Sequence, residues 1–127
     1  MTSPKHTILL VEDNEVNRDM LVRRLQRAGH AVSTAGDGEA ALAAMRELKP
    51  AVVLMDMNLP VMDGWTACAA AQNDSGLADI PIIALTAHAM EEDKARALAA
   101  GCSDYATKPV DFPDLLSKIS AYLNASH

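Results

Sequence analysis

AVVLMD, residues 51–56, is a run of five apolar residues closed by a carboxylate. The run shows no polar alternation, so a strand made from 51–55 must be covered on both faces. Reading outward from it, the same pattern recurs. TILLV at 7–11 runs into Glu12 and Asp13, and IPIIAL at 80–85 runs into Thr86. Two weaker strands, at 31–35 and 104–107, complete the set, and the second leads into Lys108 and Pro109.

Helical segments fill the intervals. Asn14 is placed to cap a helix that continues to Ala28, with Leu21, Leu25 and Ala28 as its buried stripe and Gly29 as its stop. Asp37 caps an alanine-rich helix through about Leu48, closed by Pro50. A loop with Pro60 and Gly64 leads into an apolar helix ending near Gln72. Residues 91–100 read as a helix with acids in the first turn and Gly101 beyond its end, as the helix dipole favours. Asp111 caps a last helix that tolerates Pro113 in its first turn and has Asp114 near the capping-box position. Five alternating strand–helix units imply an α/β fold with a parallel, doubly wound sheet and helices on both faces.

Composition narrows the function. The 127 residues are one domain's worth, half of them hydrophobic and 22% charged. Aromatic residues are scarce, so aliphatic side chains, Ala and Met must fill the core. A net charge of -6 makes the chain a poor general binder of nucleic acid or of anionic membrane. The arginines at 23, 24 and 27 read as a solvated helix face, not a nucleic-acid patch. No apolar run approaches the roughly 18–20 residues that span a bilayer, and no signal peptide is visible. Two cysteines without metal-ligand spacing fit a reduced cytosolic setting, with buried thiols as the plain reading.

Parallel sheets bind ligands beyond the carboxyl ends of their strands. Glu12, Asp13, Asp56, Thr86 and Lys108 all fall there. Two carboxylates about 4 Å apart repel by about 4 kcal/mol at an effective dielectric near 20. Lys108 offsets part of this, and a hard divalent cation would offset more. Carboxylate oxygens suit Mg²⁺, which favours phosphate as a further ligand. Such a site suits phosphoryl transfer, with a carboxylate as nucleophile and Thr86 and Lys108 engaging phosphoryl oxygens. A flavodoxin-type cofactor site would need a Ser/Thr/Gly-rich loop after the first strand, where Glu12, Asp13 and Asn14 stand. An aspartyl phosphatase would carry a second aspartate two residues after the nucleophile, on the first strand. A non-catalytic interaction domain is the remaining alternative.

The stretches ILLVEDN (8–14), LMDMNLPVMDG (54–64), IIALTAHAM (82–90) and YATKPVD (105–111) resemble, in order and spacing, the receiver domains of bacterial two-component response regulators. The resemblance covers nearly the whole chain. It implies a flavodoxin-like fold with strand order 2-1-3-4-5 and a single receiver domain over 1–127. It also implies that Asp56 is the phosphoacceptor. Glu12, Asp13, Asp56 and the backbone carbonyl of Asn58 would hold Mg²⁺ or Mn²⁺. Thr86 and Lys108 would bind the phosphoryl group, and Tyr105 would turn inward when Thr86 moves. The Lys108–Pro109 bond would be cis, and Asn58 and His88 would tune the lifetime of the phosphoryl group.

The chain is expected to be cytoplasmic, and a histidine kinase or histidine phosphotransfer protein is the expected donor. It would dock on the first helix at Asn14, Val16, Asn17 and Met20, the flank of the buried stripe. The chain ends about three helical turns after Asp111, so the expected output is contact with a downstream target protein. No nucleic-acid contact and no membrane insertion is expected.

Overall fold

A computed structural model describes residues 7–56, 64–86, 95–96, 98–99, 101–107 and 111–125. Five strands, β1 (Thr7–Val11), β2 (Ala31–Ala35), β3 (Val52–Asp56), β4 (Ile82–Thr86) and β5 (Asp104–Thr107), form one sheet in the order β2-β1-β3-β4-β5, every pairing parallel. The helices among the described residues are α1 (Glu15–Arg27), α2 (Gly38–Leu48), α3 (Gly64–Gln72) and α4 (Phe112–Ala125); of the helix expected over 91–100 only 95–96 and 98–99 are described, and those four residues are helical.

The two-fold alternation of a strand splits the core in two. Leu9, Val11, Val53, Met55, Ile82 and Ala84 face one cluster with Met45, Ala67, Cys68 and Leu77. Ile8, Leu10, Val52, Leu54, Ile83 and Leu85 face the other with Leu21, Leu25, Leu115 and Ile119. So α2 and α3 cover one face and α1 and α4 the other, which is why β3 and β4 are buried at every position.

The expected caps form. Asn14 Oδ1 accepts from the Asn17 amide at 3.0 Å, Asp37 Oδ1 from Ala40 at 2.7 Å, and Asp111 Oδ1 from Asp114 at 3.2 Å. Two expectations are corrected. Ala28 is exposed: it is the C-cap of α1, and Gly29 at φ 95° turns the chain away, so the buried stripe is Leu21 and Leu25 alone. The fourth strand begins at Ile82, not at 80, because Pro81 has no amide to donate and only its carbonyl joins the ladder, accepting from Val53 at 2.9 Å. The arginines at 23, 24 and 27 are exposed, as expected of a solvated face, and the Arg24 guanidinium also stacks 4.6 Å above the Phe112 ring, joining α1 to α4. The second helix ends on Lys49 in the left-handed conformation at φ 47°, and the Lys49 ammonium donates to the Gly76 carbonyl at 2.9 Å.

Candidate functional site

The carboxyl ends of the central strands are brought level by their register. Val11 pairs with Met55, and Asp56 pairs with Leu85, one residue before Thr86. The next residue after β1 is Glu12, whose amide still bonds the Ala35 carbonyl at 3.1 Å. Glu12, Asp13 and Asp56 therefore meet. Each offers a carboxylate oxygen, and these oxygens lie within 4.8 Å of one another. Glu12 and Asp56 are only 2% and 3% exposed, whereas Asp13 faces solvent. Two of the acids are thus buried and the third is exposed.

The surroundings hold the acids in place. Glu12 Oε1 accepts from the Asn14 amide at 3.1 Å, and the Glu12 carbonyl accepts from Arg18 Nη1 at 3.2 Å. Arg18 escaped the reading of the sequence. It sits in the first turn of α1, where the dipole disfavours a cation, and that misplacement was the available signal. Its bond ties α1 to the end of β1 next to the acids.

Thr86 ends β4, 4% exposed, and pairs with Thr107. Tyr105 lies on the edge strand β5, half-buried against the cluster under α2 and α3. Lys108, Pro109, Asn58 and His88 fall outside the described residues. Of the positions expected to dock a partner, Asn14 spends its side chain on the α1 cap, while Val16 and Met20 are 78% and 50% exposed. Met20 is thus not part of the core. The guanidinium of Arg96 stacks 4.3 Å above the Trp65 ring, which places the single tryptophan of the chain, one residue into α3, against Arg96.

A parallel sheet in this order, with three clustered carboxylates at its carboxyl edge, defines a class of phosphoryl-accepting signalling module. The chain belongs to the response regulator receiver domain family, whose sequence model matches residues 8–120. It is 34% identical over 117 residues to the polar-differentiation response regulator DivK of Brucella anthropi, covering 92% of this chain and 95% of that one. It is 35% identical over 116 residues to the DNA-binding dual master transcriptional regulator RpaA of Synechocystis sp., covering 91% of this chain and 48% of RpaA, so it spans about half that relative's length.

Solved structures agree. The receiver domain of the sensor histidine kinase PA1611 from Pseudomonas aeruginosa, with a magnesium ion coordinated in its active-site cleft, matches with a TM-score of 0.88 and 34% identity over 95% of this chain and 99% of that one. The receiver domain of Ssk1 from Saccharomyces cerevisiae, crystallised with the histidine phosphotransfer protein Ypd1, matches with a TM-score of 0.86 and 32% identity over 96% of this chain and 91% of that one. Among the described residues no helix is long and apolar enough to cross a membrane.

Proposed function

We propose that the chain is a single receiver domain, cytoplasmic, that accepts a phosphoryl group on Asp56 from a phosphohistidine of a kinase or phosphotransfer protein. The observation that carries this reading is the burial of Asp56 at a strand end within 4.8 Å of two further acids. An Asp56 oxygen attacks phosphorus, the N–P bond breaks, and the imidazole leaves with the electron pair. The product is an acyl phosphate, and attack by water returns the carboxylate and inorganic phosphate.

The donor set is all oxygen and carries three negative charges, which fits a hard divalent cation such as Mg²⁺. Glu12, Asp13, Asp56 and the Asn58 carbonyl would hold it, and when bound it neutralises charge on the phosphoryl oxygens. Arg18 and the Asn14 amide fix Glu12 for that task. The Thr86 hydroxyl donates to a phosphoryl oxygen, and the Lys108 ammonium pairs with another. The displacement of Thr86 is read by Tyr105 through β4–β5, with protein contacts as output. Asn58 and His88 set how long the phosphoryl group survives, and Val16, Asn17 and Met20 receive the donor.

The test is incubation with a small acyl phosphate and Mg²⁺, followed by hydroxylamine. One hydroxylamine-sensitive phosphoryl group per chain is expected, and none on Asp56→Asn. A variant that labels as fast as the parent would move the acceptor elsewhere.

A further inference from the structure

Cys68 and Cys102 lie 34 residues apart in the chain, and their sulfurs approach to 2.6 Å. Both are free thiols, and both are buried. Cys68 stands on α3, and Cys102 stands two residues before β5. Neither belongs to the carboxylate site. A disulfide bond is about 2.05 Å long, so closing the pair needs the sulfurs to approach by only about a further 0.6 Å.

The pair is buried, with Cys68 0% and Cys102 4% exposed, and a surface groove lies beside it. A groove of about 260 Å³ is lined by Ala69, Gln72, Asn73, Ala99 and Gly101, and its Ala69 and Gly101 are the chain neighbours of the two cysteines. One exposed hydrogen bond crosses it, from Gln72 Nε2 to the Gly101 carbonyl at 3.1 Å. The two thiols are also unequal. The contact with Cys68 lowers the pKa of Cys102 against the opposing pull of burial, while the same contact, with burial, raises that of Cys68. Cys102 is also the more exposed of the two, 4% against 0%, and so is the one an oxidant meets first.

We propose that Cys68 and Cys102 form a reversible intramolecular disulfide, made by exchange with a low-molecular-weight disulfide, that ties α3 to the entrance of β5. The Cys102 thiolate attacks one sulfur of the oxidant, whose S–S bond breaks and releases a thiolate with the electron pair. Cys68 gives its proton to that thiolate and attacks the Cys102 sulfur of the mixed disulfide. The second thiolate leaves and takes up the proton that Cys102 had shed. Two protein thiols are oxidised, and one small disulfide is reduced to two small thiols. The step is independent of phosphoryl transfer and uses none of its residues.

The experiment treats the full reduced chain with glutathione disulfide, quenches in acid, denatures and alkylates. Neither cysteine should then alkylate, the mass should fall by about 2 Da, one hydrogen from each thiol, and a peptide map should join 68 to 102. Dithiothreitol should reverse all three. The oxidised chain should melt roughly 10 °C higher, because the crosslink restricts the unfolded state across a long loop. Cys68→Ala, which removes both the resolving thiol and the contact that favours the Cys102 thiolate, should form no internal bond and show no rise in melting temperature. Two alkylated cysteines, separate adducts on both, or a bond between two chains would each overturn the proposal. A rise in melting temperature without Cys68 would do the same. The parent's peptide map decides the matter even where a variant fails to fold.

Discussion

The Lys118 ammonium donates to the backbone carbonyl of Tyr105 at 2.9 Å and lies 5.3 Å from the centre of the same residue's ring. It thus reaches from α4 onto the edge strand and holds that residue by both main chain and side chain. Asp114, one turn earlier on α4, receives the same ammonium at 3.0 Å. Tyr122, one turn later, donates its hydroxyl to the Ser103 carbonyl at 2.8 Å. The strand that carries the proposed reporter is therefore clamped from one helix by polar contacts.

That clamp should weaken in alkali. Burial pulls the Lys118 pKa down, but the bond to Asp114 and the charges of Asp104 and Asp114 outweigh it and raise it. The Tyr122 hydroxyl is raised by burial first and by Asp104 next. Both groups keep their protons in the folded chain at a pH where the unfolded chain is already losing them. Their contribution is complete below the ordinary values of 10.0 and 10.5 and drains as pH rises through the folded ones. Urea unfolding between pH about 9 and about 11 should show stability falling more steeply for the parent than for Lys118→Met with Tyr122→Phe. Equal slopes would dissolve the clamp.

Metal affinity should depend on the exposed acid. Asp13→Lys puts an ammonium beside the two buried acids, and the loss of Mg²⁺ affinity should exceed tenfold, since about 1.4 kcal/mol suffices for that and a charge reversal at contact distance supplies more. The fold should survive, because Asp13 is solvent-facing. Trp65, with its charged neighbour Arg96, offers a fluorescence readout. Affinity unchanged in Asp13→Lys would place the cation elsewhere.

Met20→Lys should cost less than about 0.5 kcal/mol of stability, as an exposed substitution does. It should nevertheless slow phosphoryl transfer from a histidine phosphotransfer protein while labelling by a small acyl phosphate proceeds at the parental rate. Should both donors work equally well, the docking face is not α1.

Gly101→Ala should destabilise by about 2 kcal/mol or more, from backbone strain and overpacking together. Its φ is +103°, and a Cβ there would lie 2.0 Å from Gln72 Cγ. Gly29→Ala meets nothing within 4 Å and should cost only the strain of its positive φ. Chemical denaturation of the two variants side by side checks the order, and a Gly101 variant no worse than the Gly29 one would contradict the packing.

Local chemistry was legible where it acts locally. The caps at Asn14, Asp37 and Asp111 were readable because a cap bonds an amide three residues on, and the strand ends were readable because buried parallel strands are short and apolar. The sheet order and the gathering of Glu12, Asp13 and Asp56 followed from the resemblance and from the rule that parallel strands expose their carboxyl ends together. What stayed hidden depends on packing across the chain. Leu77, 1% exposed, plugs the core from a turn that carries no periodicity. The left-handed Lys49 is supported by Gly76, 27 residues away, and the meeting of Cys68 with Cys102 spans 34. No window of sequence contains both members of such pairs.

Because β3 is apolar and covered at every position, its hydrophobic pattern cannot by itself say which residue pairs with which. A slip of one place would exchange Leu54 for Met55 and leave the burial of oil almost unchanged. The acid at its end can say it. Slid one residue inward, the Asp56 carboxylate would leave the other two acids and enter a hydrocarbon interior, at a cost no apolar contact recovers. The charged rim thus serves as a ruler for the assembling sheet. Removing the charge for chemical reasons should also remove a mark by which the strand finds its place.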